Sequence, residues 1–359
     1  MALQSSGAIS LDDIHVEAGG STGTTCSVND TDIRGLTAGA GKTINANQGT
    51  TIDFDDFYGA TSIAYMDASG GSTSTSGNYR FHTFTSSGTF TVNTVAIGGA
   101  STTVDYLIVA GGGGGGNTDG QGYGGGGGGG GGYRTGSVTV SSTGNNTITV
   151  GGGMAGPTVN STYSHYGNPY GIHNYMETSG ETGGDSSALG VTSTGGGVGG
   201  GKYRASNGTI HQNPSSGGSG GGGWGSSFGN SGGSGTSGQG NDGGNGANDT
   251  GGGGGGIGSV GANASSSSAG GDGGTGSSSG NASDGTSRSA GGGGGARNHA
   301  GGVGYSGAGS GGGYATNGNS ASSNRGGGGG GGGSGPNVAR NGGSGGSGIV
   351  ILRYQYQGS

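Results

Sequence analysis

Hydrophobic positions in the first sixty residues fall into three short segments that share one design. Each segment begins with an acidic or hydroxyl residue, continues with an apolar pair and ends at glycine. In the first, Ser10 can cap the opening turn while Asp13, three residues on, reaches back to it. Segments 29–36 and 53–59 repeat the scheme, with glycine where a left-handed residue commonly ends a helix. The pattern predicts three short helices.

None of these helices is long enough to be stable alone, so they must share a core. The apolar residues expected in that core are Leu11, Ile14, Ile33, Leu36, Ile52, Phe54 and Phe57. We therefore expect residues 1–62 to form a small N-terminal module with short helices.

From Tyr79 onward the hydrophobic period changes to two, which is typical of half-buried strands. Segments 80–85 and 89–93 alternate in this way on either side of Ser86-Ser87-Gly88, and this arrangement predicts a β-hairpin. Further strand candidates, rich in β-branched and aromatic residues, are 105–110, 137–140, 147–150 and 349–354. We expect a β-strand unit over 63–110 and a closing strand within 349–359 that returns to pair with it.

Glycine dominates the stretch between these strands. The chain has 111 glycines in 359 residues, against an average usage of about 7% in ordinary proteins. Only 15 of them precede residue 111. Each ordered glycine costs about 0.5–1 kcal/mol of backbone entropy relative to alanine. If the region 111–348 is ordered, some interaction must offset that cost.

Two interpretations of this region compete. One is a flexible Gly/Ser linker. The other is an array of polyglycine-II helices, with three residues per turn, about 3.1 Å rise and no internal hydrogen bonds, so that each backbone bonds to its neighbours. Collagen is excluded, since the chain has only 4 prolines and keeps no Gly-X-Y period. The returning strand at 349–354 favours the array, because a linker would not need one.

The sequence thus predicts a mainly β and irregular fold. It comprises the small N-terminal module with short helices, a β-strand base, and a polyglycine-II helix sandwich over 111–348 that is closed by a C-terminal strand in 349–359.

Charge and hydropathy narrow the range of partners. The net charge is −7, and the 11 basic residues are scattered singly, so no basic stripe for nucleic acid is present. The longest apolar runs, 104–110 and 348–352, are too short to cross a bilayer. The chain begins without a basic segment followed by an apolar stretch, so we expect no signal peptide and no membrane insertion. The single cysteine, Cys26, excludes an internal disulfide framework.

Motifs for chemistry are weak throughout. Matches to GxGxxG are expected by chance at this glycine content, and none follows a strand and opens a helix. Segments 238–242 and 243–249 resemble calcium-binding nonapeptides, but their spacing is off and the apolar residue after the aspartate is missing. The six histidines show no paired metal-ligand spacing, and no serine sits in a nucleophile elbow. We predict no catalysis, no cofactor and no metal.

Aromatic residues crowd one interruption of the glycine region, at 163–176. This stretch carries Tyr163, His165, Tyr166, Tyr170, His173, Tyr175 and Met176. A weaker second cluster consists of Lys202, Tyr203, Arg204, Trp224 and Phe228. Rigid rings stack on sugar faces and supply contact area at low entropic cost, which indicates a receptor-contact surface. The alternative is that the rings cap exposed ends of the glycine array; the two roles are compatible.

Four blocks bordering the glycine runs carry a family resemblance. They are 79–92 (YRFHTFTSSGTFTV), 105–110 with the run that follows it, 132–137 (GYRTGS) and 345–354 (GGSGIVILRY). These blocks resemble the glycine-rich domain family common in phage tail-fibre and surface proteins. Segments 8–14 and 52–60 look like a short repeated module frequent near the start of phage virion proteins, especially of marine and cyanobacterial phages. The resemblance implies a polyglycine-II sandwich whose loops at one end touch a host receptor.

The resemblance also implies a function, that of a bacteriophage tail-fibre or adhesin subunit that binds its receptor without catalysis. Residues 1–62 would attach it to other virion tail proteins, and the aromatic loops would meet a host glycan or an outer-membrane protein. The protein would assemble in the host cytoplasm and reside in the virion. A homotrimer is one state consistent with a fibre, although no coiled coil is predicted.

Two alternatives stay open. One is a purely structural tail, baseplate or capsid-decoration component in which the glycine domain is a rigid spacer. The other is an enzyme acting on surface polysaccharide, which requires a paired-carboxylate cleft that the aspartates do not suggest.

Overall fold

The structure is a computed structural model. It describes residues 3–39, 41–118, 122–156, 159–160, 175–176, 181–205, 208–226, 230–265, 269–335 and 339–357, with the backbone alone described at 159–160, 175–176, 203–205 and 208–210.

Three short turns of helix form in the N-terminal module. Helix α1 spans Leu11–Glu17 and opens with the predicted capping box, in which Ser10 and Asp13 bond each other's backbone N–H. The hydrogen bond from the Ser10 side chain lowers the pKa of Asp13. Helix α2 spans Thr31–Arg34. The third segment, Phe54–Phe57, is a single 3₁₀ turn that opens with a capping box between Asp53 and Asp56.

The shared core of this module is largely as predicted. Ile14, Ile33, Leu36 and Phe57 are buried together with Ala60, while Leu11 and Ile52 pack at its margin. Phe54 was wrongly assigned to the core. It begins the 3₁₀ turn at the rim of the cluster and is 44% exposed.

A buried arginine, which the sequence pattern did not predict, holds the loop 45–50 in place through hydrogen bonds. The Arg34 side chain is 3% exposed and donates to the carbonyl oxygens of Asn45, Asn47 and Thr50 at 2.8–2.9 Å. These bonds to a charged donor stabilise a loop that has little apolar surface of its own.

Fourteen β-strands are described, most of them short. They are β1 Asp67–Ser69, β2 Ser72–Ser76, β3 Tyr79–Phe84, β4 Gly88–Thr94, β5 Thr103–Val109, β6 Tyr133–Thr139, β7 Gly144–Ile148, β8 Val159–Asn160, β9 Tyr175–Met176, β10 Ser186–Ala188, β11 Val191–Ser193, β12 Gly201–Ala205, β13 Gly208–Gln212 and β14 Ile349–Gln355. Among the described residues, no helix is long and apolar enough to cross a membrane.

The largest sheet has five antiparallel strands in the order β2-β3-β14-β5-β6. The closing strand β14 lies at its centre, with Ile351 paired to Thr83 on one side and to Leu107 on the other. The predicted return of the C-terminal strand is therefore confirmed. A second sheet, β1-β4-β7, packs on the first through Phe84, Phe90, Leu352 and other buried residues.

The predicted hairpin between β3 and β4 is wrong. Both segments are strands, but β3 pairs with β2 and β14, whereas β4 pairs with β1 and β7 in the other sheet. The chain changes layer at 85–87, so that Phe84 and Phe90 meet in the core between the sheets. Alternation specifies which side chains turn inward, but it does not specify the partner strand.

The glycine run 124–132 lies at the centre of a packed array. Its N–H groups donate to three neighbouring segments in a repeating cycle. Gly127, Gly128 and Gly129 donate to the carbonyls of Gly252, Gly329 and Gly197, and one turn later Gly130, Gly131 and Gly132 donate to those of Gly255, Gly326 and Thr194. This three-residue period, without internal bonds, is that of polyglycine II.

Three further segments donate to the carbonyls of the same run. Gly222, Gly292 and Gly113 bond Gly127, Gly128 and Gly129 respectively, at 2.8–3.0 Å. The central run thus has six hydrogen-bonded neighbours. None of the glycines in the run has a positive φ, so left-handed backbone strain is not the reason that glycine is needed there.

Packing is that reason. A Cβ built on Gly128 would lie under 3.0 Å from the Gly113 carbonyl oxygen, and one on Gly254 would meet Gly128 in the same way. Any side chain would push two bonded backbones apart. The saturated hydrogen bonding provides the interaction that offsets the entropy of ordering glycine.

The β-sheet sets the register of the array. Val109 of β5 pairs with Tyr133 of β6, and directly beyond them Ala110 N–H donates to Gly132 and Gly113 N–H to Gly129. These two segments of the chain keep their antiparallel pairing, while the structural repeat lengthens from two residues in the strands to three in the glycine runs. Strands β5, β6 and β14 all join the array at one end, which we call the base end.

Polar side chains complete the hydrogen bonding at the surface of the array. Asp242 and Asn245 accept from the N–H groups of Gly235 and Gly232 at 2.8 and 3.0 Å. Ser259 Oγ accepts from Thr275 N–H at 3.0 Å. The asparagine, aspartate and serine residues of the calcium-like stretch and its neighbours therefore replace missing backbone acceptors.

Adding one methyl group at the centre of the array should be far more damaging than adding one at its surface. We expect Gly128→Ala to lower the free energy of unfolding by about 3 kcal/mol or more, because overpacking a tight contact separates two backbones. Gly152→Ala is the matched control: Gly152 is exposed in the same array, and a Cβ there meets nothing within 4 Å. Denaturant unfolding of both variants measures the difference, and equal losses would contradict the packed array.

Stability should fall as the pH drops below about 6.5, the ordinary pKa of histidine. His82 is fully buried between Phe90 and Tyr354, its Nδ1–H donates to Gly70 O at 2.7 Å, and its Nε2 has no partner among the described residues. Burial lowers the pKa of His82. The unfolded chain then binds the proton first, so stability is present above pH 6.5 and is lost as the pH falls toward the folded pKa.

His82→Phe should abolish this slope in the unfolding free energy, whatever its effect at neutral pH. Arg288 holds the pKa of Asp284 at about 2 through its hydrogen bond. Protonation of that carboxylate therefore changes the unfolding free energy only below about pH 4. Exposed His299 gives the control variant, His299→Asn. An unchanged slope between pH 5 and about 6.5 in His82→Phe would refute the assignment.

Candidate functional site

The end of the array opposite the sheet carries an aromatic group. Strand β6 follows the central run directly, so Gly124, at the start of that run, lies roughly 25 Å from the base end along a polyglycine-II helix. We call this opposite end the distal end. Four side chains gather there as the distal cluster, which consists of Tyr123, Lys202, His211 and Trp224.

The rings and the ammonium group of the distal cluster form one continuous stack. The His211 imidazole lies parallel to the Trp224 indole, with centroids 4.8 Å apart and planes at 23°. Tyr123 meets the indole edge-on at 5.8 Å. Lys202 Nζ lies 4.5 Å from the Tyr123 ring centroid, within the range of a cation–π contact.

Backbone bonds of the array position these side chains. Gly225 N–H donates to Gly124 O, which places Trp224 beside Tyr123. In the hairpin of β12 and β13, Lys202 and His211 are direct cross-strand partners. The indole Cδ1 lies against Gly200, where a Cβ would come within 2.9 Å of it. Glycine therefore also shapes the floor of the cluster.

Burial divides the cluster into an anchor and a surface. Trp224 is 8% exposed, Tyr123 and Lys202 are half-buried, and His211 is exposed. The indole Nε1–H is buried and has no hydrogen-bond partner among the described residues. A buried, unsatisfied donor costs about 1–3 kcal/mol.

An ion pair borders the cluster. Arg297 packs on Gly122 and pairs with Asp249 at 3.6 Å, and each side chain is 39% exposed. An exposed pair of this kind contributes little to stability. Its effect is to set cationic and anionic groups beside the aromatic rings.

The structure brings together only some of the residues expected at a receptor-contact surface. Lys202 and Trp224 belong to the distal cluster. Tyr175 and Arg204 are paired through the backbones of β9 and β12, which joins the two predicted clusters in one small sheet, β13-β12-β9-β8. The side chains of Tyr175, Tyr203 and Arg204 are not described. Tyr163, His165, Tyr166, Tyr170, His173 and Phe228 lie outside the described residues.

Two members of the cluster were missed by sequence reasoning. Tyr123 is the one aromatic residue in 111–132, and it precedes the longest glycine run. His211 lies in a segment of two short alternating stretches joined at Asn207-Gly208, a strong hairpin signal. Either signal could have placed these residues at an end of the array.

Other concave or charged features of the described residues offer fewer groups that could bind a ligand. A cavity of about 250 Å³ lies between the end of β6, the start of β7 and Leu189, and no charged residue lines it. Within the described part of the chain, no group of histidine, cysteine and carboxylate side chains could hold a metal ion.

The family model described as a glycine-rich domain matches residues 85–355. No curated protein matches the chain.

The His211 ring should shield the only tryptophan of the chain from solvent. We expect His211→Ala to shift Trp224 emission to longer wavelength and to increase its quenching by acrylamide, since one face of the indole is then exposed. The matched control is His299→Ala, an exposed histidine outside the cluster. Identical spectra and quenching for the two variants would contradict the stack.

Proposed function

The chain belongs to the glycine-rich domain family, and from that premise we propose that it is a bacteriophage virion adhesin that binds a host-cell surface receptor without catalysis. It would reside in the tail or tail fibre, assembled in the host cytoplasm. Residues 1–62 would attach it to other virion tail proteins. The receptor would be a surface glycan or an outer-membrane protein.

The observation that carries this proposal is that the two ends of the array carry different groups. The N-terminal module leads into β1, part of the sheets at the base end. The distal cluster lies at the other end, on a scaffold whose inner backbones have six bonded neighbours. A packed array that is attached at one end and carries aromatic and cationic groups at the other suits surface attachment.

The chemistry of the distal end agrees with contact to a glycan or a protein loop. Aromatic faces pack on the apolar faces of sugar rings, and a rigid ring loses little entropy on binding. Lys202 and the buried indole N–H supply donors for hydroxyl, carboxylate or carbonyl oxygens. By sequence, the aromatic segment 163–176 is a further candidate for this contact surface.

The spacer remains the alternative function. Trp224 is almost fully buried, as expected of a ring that only caps the array. A spacer would present the same packed array but would have no affinity for cells.

Binding to cells separates the two functions. Fluorescently labelled protein should bind some strains in a panel of marine bacteria and cyanobacteria. Replacing Tyr166 and Tyr170 together with alanine should weaken that binding by about tenfold or more, equivalent to roughly 1.4 kcal/mol. The control is Tyr305→Ala, an exposed tyrosine in the turn beside Arg325 at the base end.

Three results would count against the adhesin. Absence of binding by the wild-type protein to any strain would favour the spacer. Equal loss of binding in the Tyr305→Ala control would place the contact elsewhere. Release of oligosaccharides from cells or purified surface polysaccharide would favour an enzyme.

A further inference from the structure

One edge of the five-stranded sheet is bare. Strand β2, Ser72–Ser76, is the outermost strand, and all five of its residues are exposed. No described backbone or side-chain group bonds to its outer side. Such an edge presents unpaired N–H and C=O groups to any chain that can lie beside it.

The opposite edge strand of the same sheet, β6, carries a charged residue and makes contacts beyond the sheet. Asn281 donates to the carbonyl oxygens of Tyr106 and Gly136 on β5 and β6, and Arg134 reaches from β6 to Thr192 O. Proteins usually protect an open edge with charges, proline, bulges or a covering loop. Strand β2 has none of these: its sequence is STSTS and its pairing with β3 is regular, from Ser72↔Thr83 to Ser76↔Tyr79.

The turn after β2 establishes which groups point outward. Gly77 has φ +55° and Asn78 has no positive φ, as in the type II′ turn of a two-residue hairpin. Ser76 and Tyr79 therefore form a hydrogen-bonded pair, and the pattern alternates along the strand. Ser72, Ser74 and Ser76 bond to β3, which leaves the N–H and C=O groups of Thr73 and Thr75 facing outward.

We propose that this edge pairs two copies of the chain. The sequence of β2 reads the same in both directions about Ser74, so an antiparallel partner of the same sequence places Thr73 opposite Thr75, Ser72 opposite Ser76, and Ser74 opposite itself. The outward groups of Thr73 and Thr75 then form about four backbone hydrogen bonds across a two-fold axis.

A second copy fits this edge better than a strand of different sequence. Cross-strand Thr–Thr and Ser–Ser pairs are favourable, and the absence of charge removes like-charge repulsion at the axis. Pairing of this kind would join two five-stranded sheets into one continuous sheet. The two arrays would then be held side by side, and the contact, being isologous, closes at two copies.

Cysteine cross-linking tests the register of this contact. In the Cys26→Ser background, Ser74→Cys should form a disulfide-linked dimer under mild oxidation, because a non-hydrogen-bonded pair has Cα atoms about 4.5 Å apart, within disulfide range. Ser72→Cys is the matched control, equally exposed on the same strand. Its two copies would lie more than about 10 Å apart and should not cross-link.

Sedimentation of charge variants tests the contact without a covalent bond. The wild-type protein should show a concentration-dependent monomer–dimer equilibrium. Ser74→Lys and Ser74→Asp should each be monomeric, and their equimolar mixture should recover the dimer, because the two-fold axis sets opposite charges face to face. Thr75→Pro should also weaken the dimer, since it removes an outward N–H while leaving the ladder to β3 intact.

Several outcomes would overturn the proposal. A protein that stays monomeric at all concentrations, and whose Ser74→Cys variant does not cross-link, would show that the edge is unused. Equal cross-linking of the Ser72→Cys control would indicate random collision. A trimer, or a dimer indifferent to all three substitutions, would place the interface elsewhere. This inference is independent of the proposed receptor binding.

Discussion

Hydrogen bonding between glycine backbones is the interaction on which this protein depends. A conventional core buries side chains, whereas here the buried groups are peptide units, and each peptide in the central run donates to one neighbour and accepts from another. Such close approach is possible only without Cβ atoms. The constraint explains both the extreme composition and the rarity of charged residues within the runs, because any side chain there would separate two bonded segments.

Polyglycine II has no intrinsic register, and the small β-structure at the base end supplies one. Strands β5, β6 and β14 have side chains that can pack in only one alignment, and their pairing continues directly into the first, second and last glycine segments. Two apolar clusters lie there, one on either face of the five-stranded sheet. A small conventional core can therefore align a much larger array that has almost none.

The difference between the glycine runs and their ends explains where side chains that could bind a ligand fit. Inside the array there is no room for a functional side chain, and along its surface serine, asparagine and aspartate are used in backbone hydrogen bonds. The ends of the segments are the places where larger residues fit. Lys202, His211, Tyr123 and Trp224 meet at one such end because the runs that precede or follow them are bonded side by side.

The sequence by itself determined the local features: the Ser10 capping box, most of the strands and the return of 349–354 to the sheet. It favoured polyglycine II over a flexible linker, and the hydrogen bonding of the array confirms that choice. It placed Lys202 and Trp224 among the candidates but not Tyr123 or His211. Only the tertiary structure decided the partners, such as β3 pairing with β14 and not with β4, and Tyr123 meeting Trp224 across a hundred residues. The physical reason is that periodicity and capping are properties of neighbouring residues, whereas a glycine run carries no side chains that identify its neighbours. Those neighbours are selected by the register that the distant strands impose.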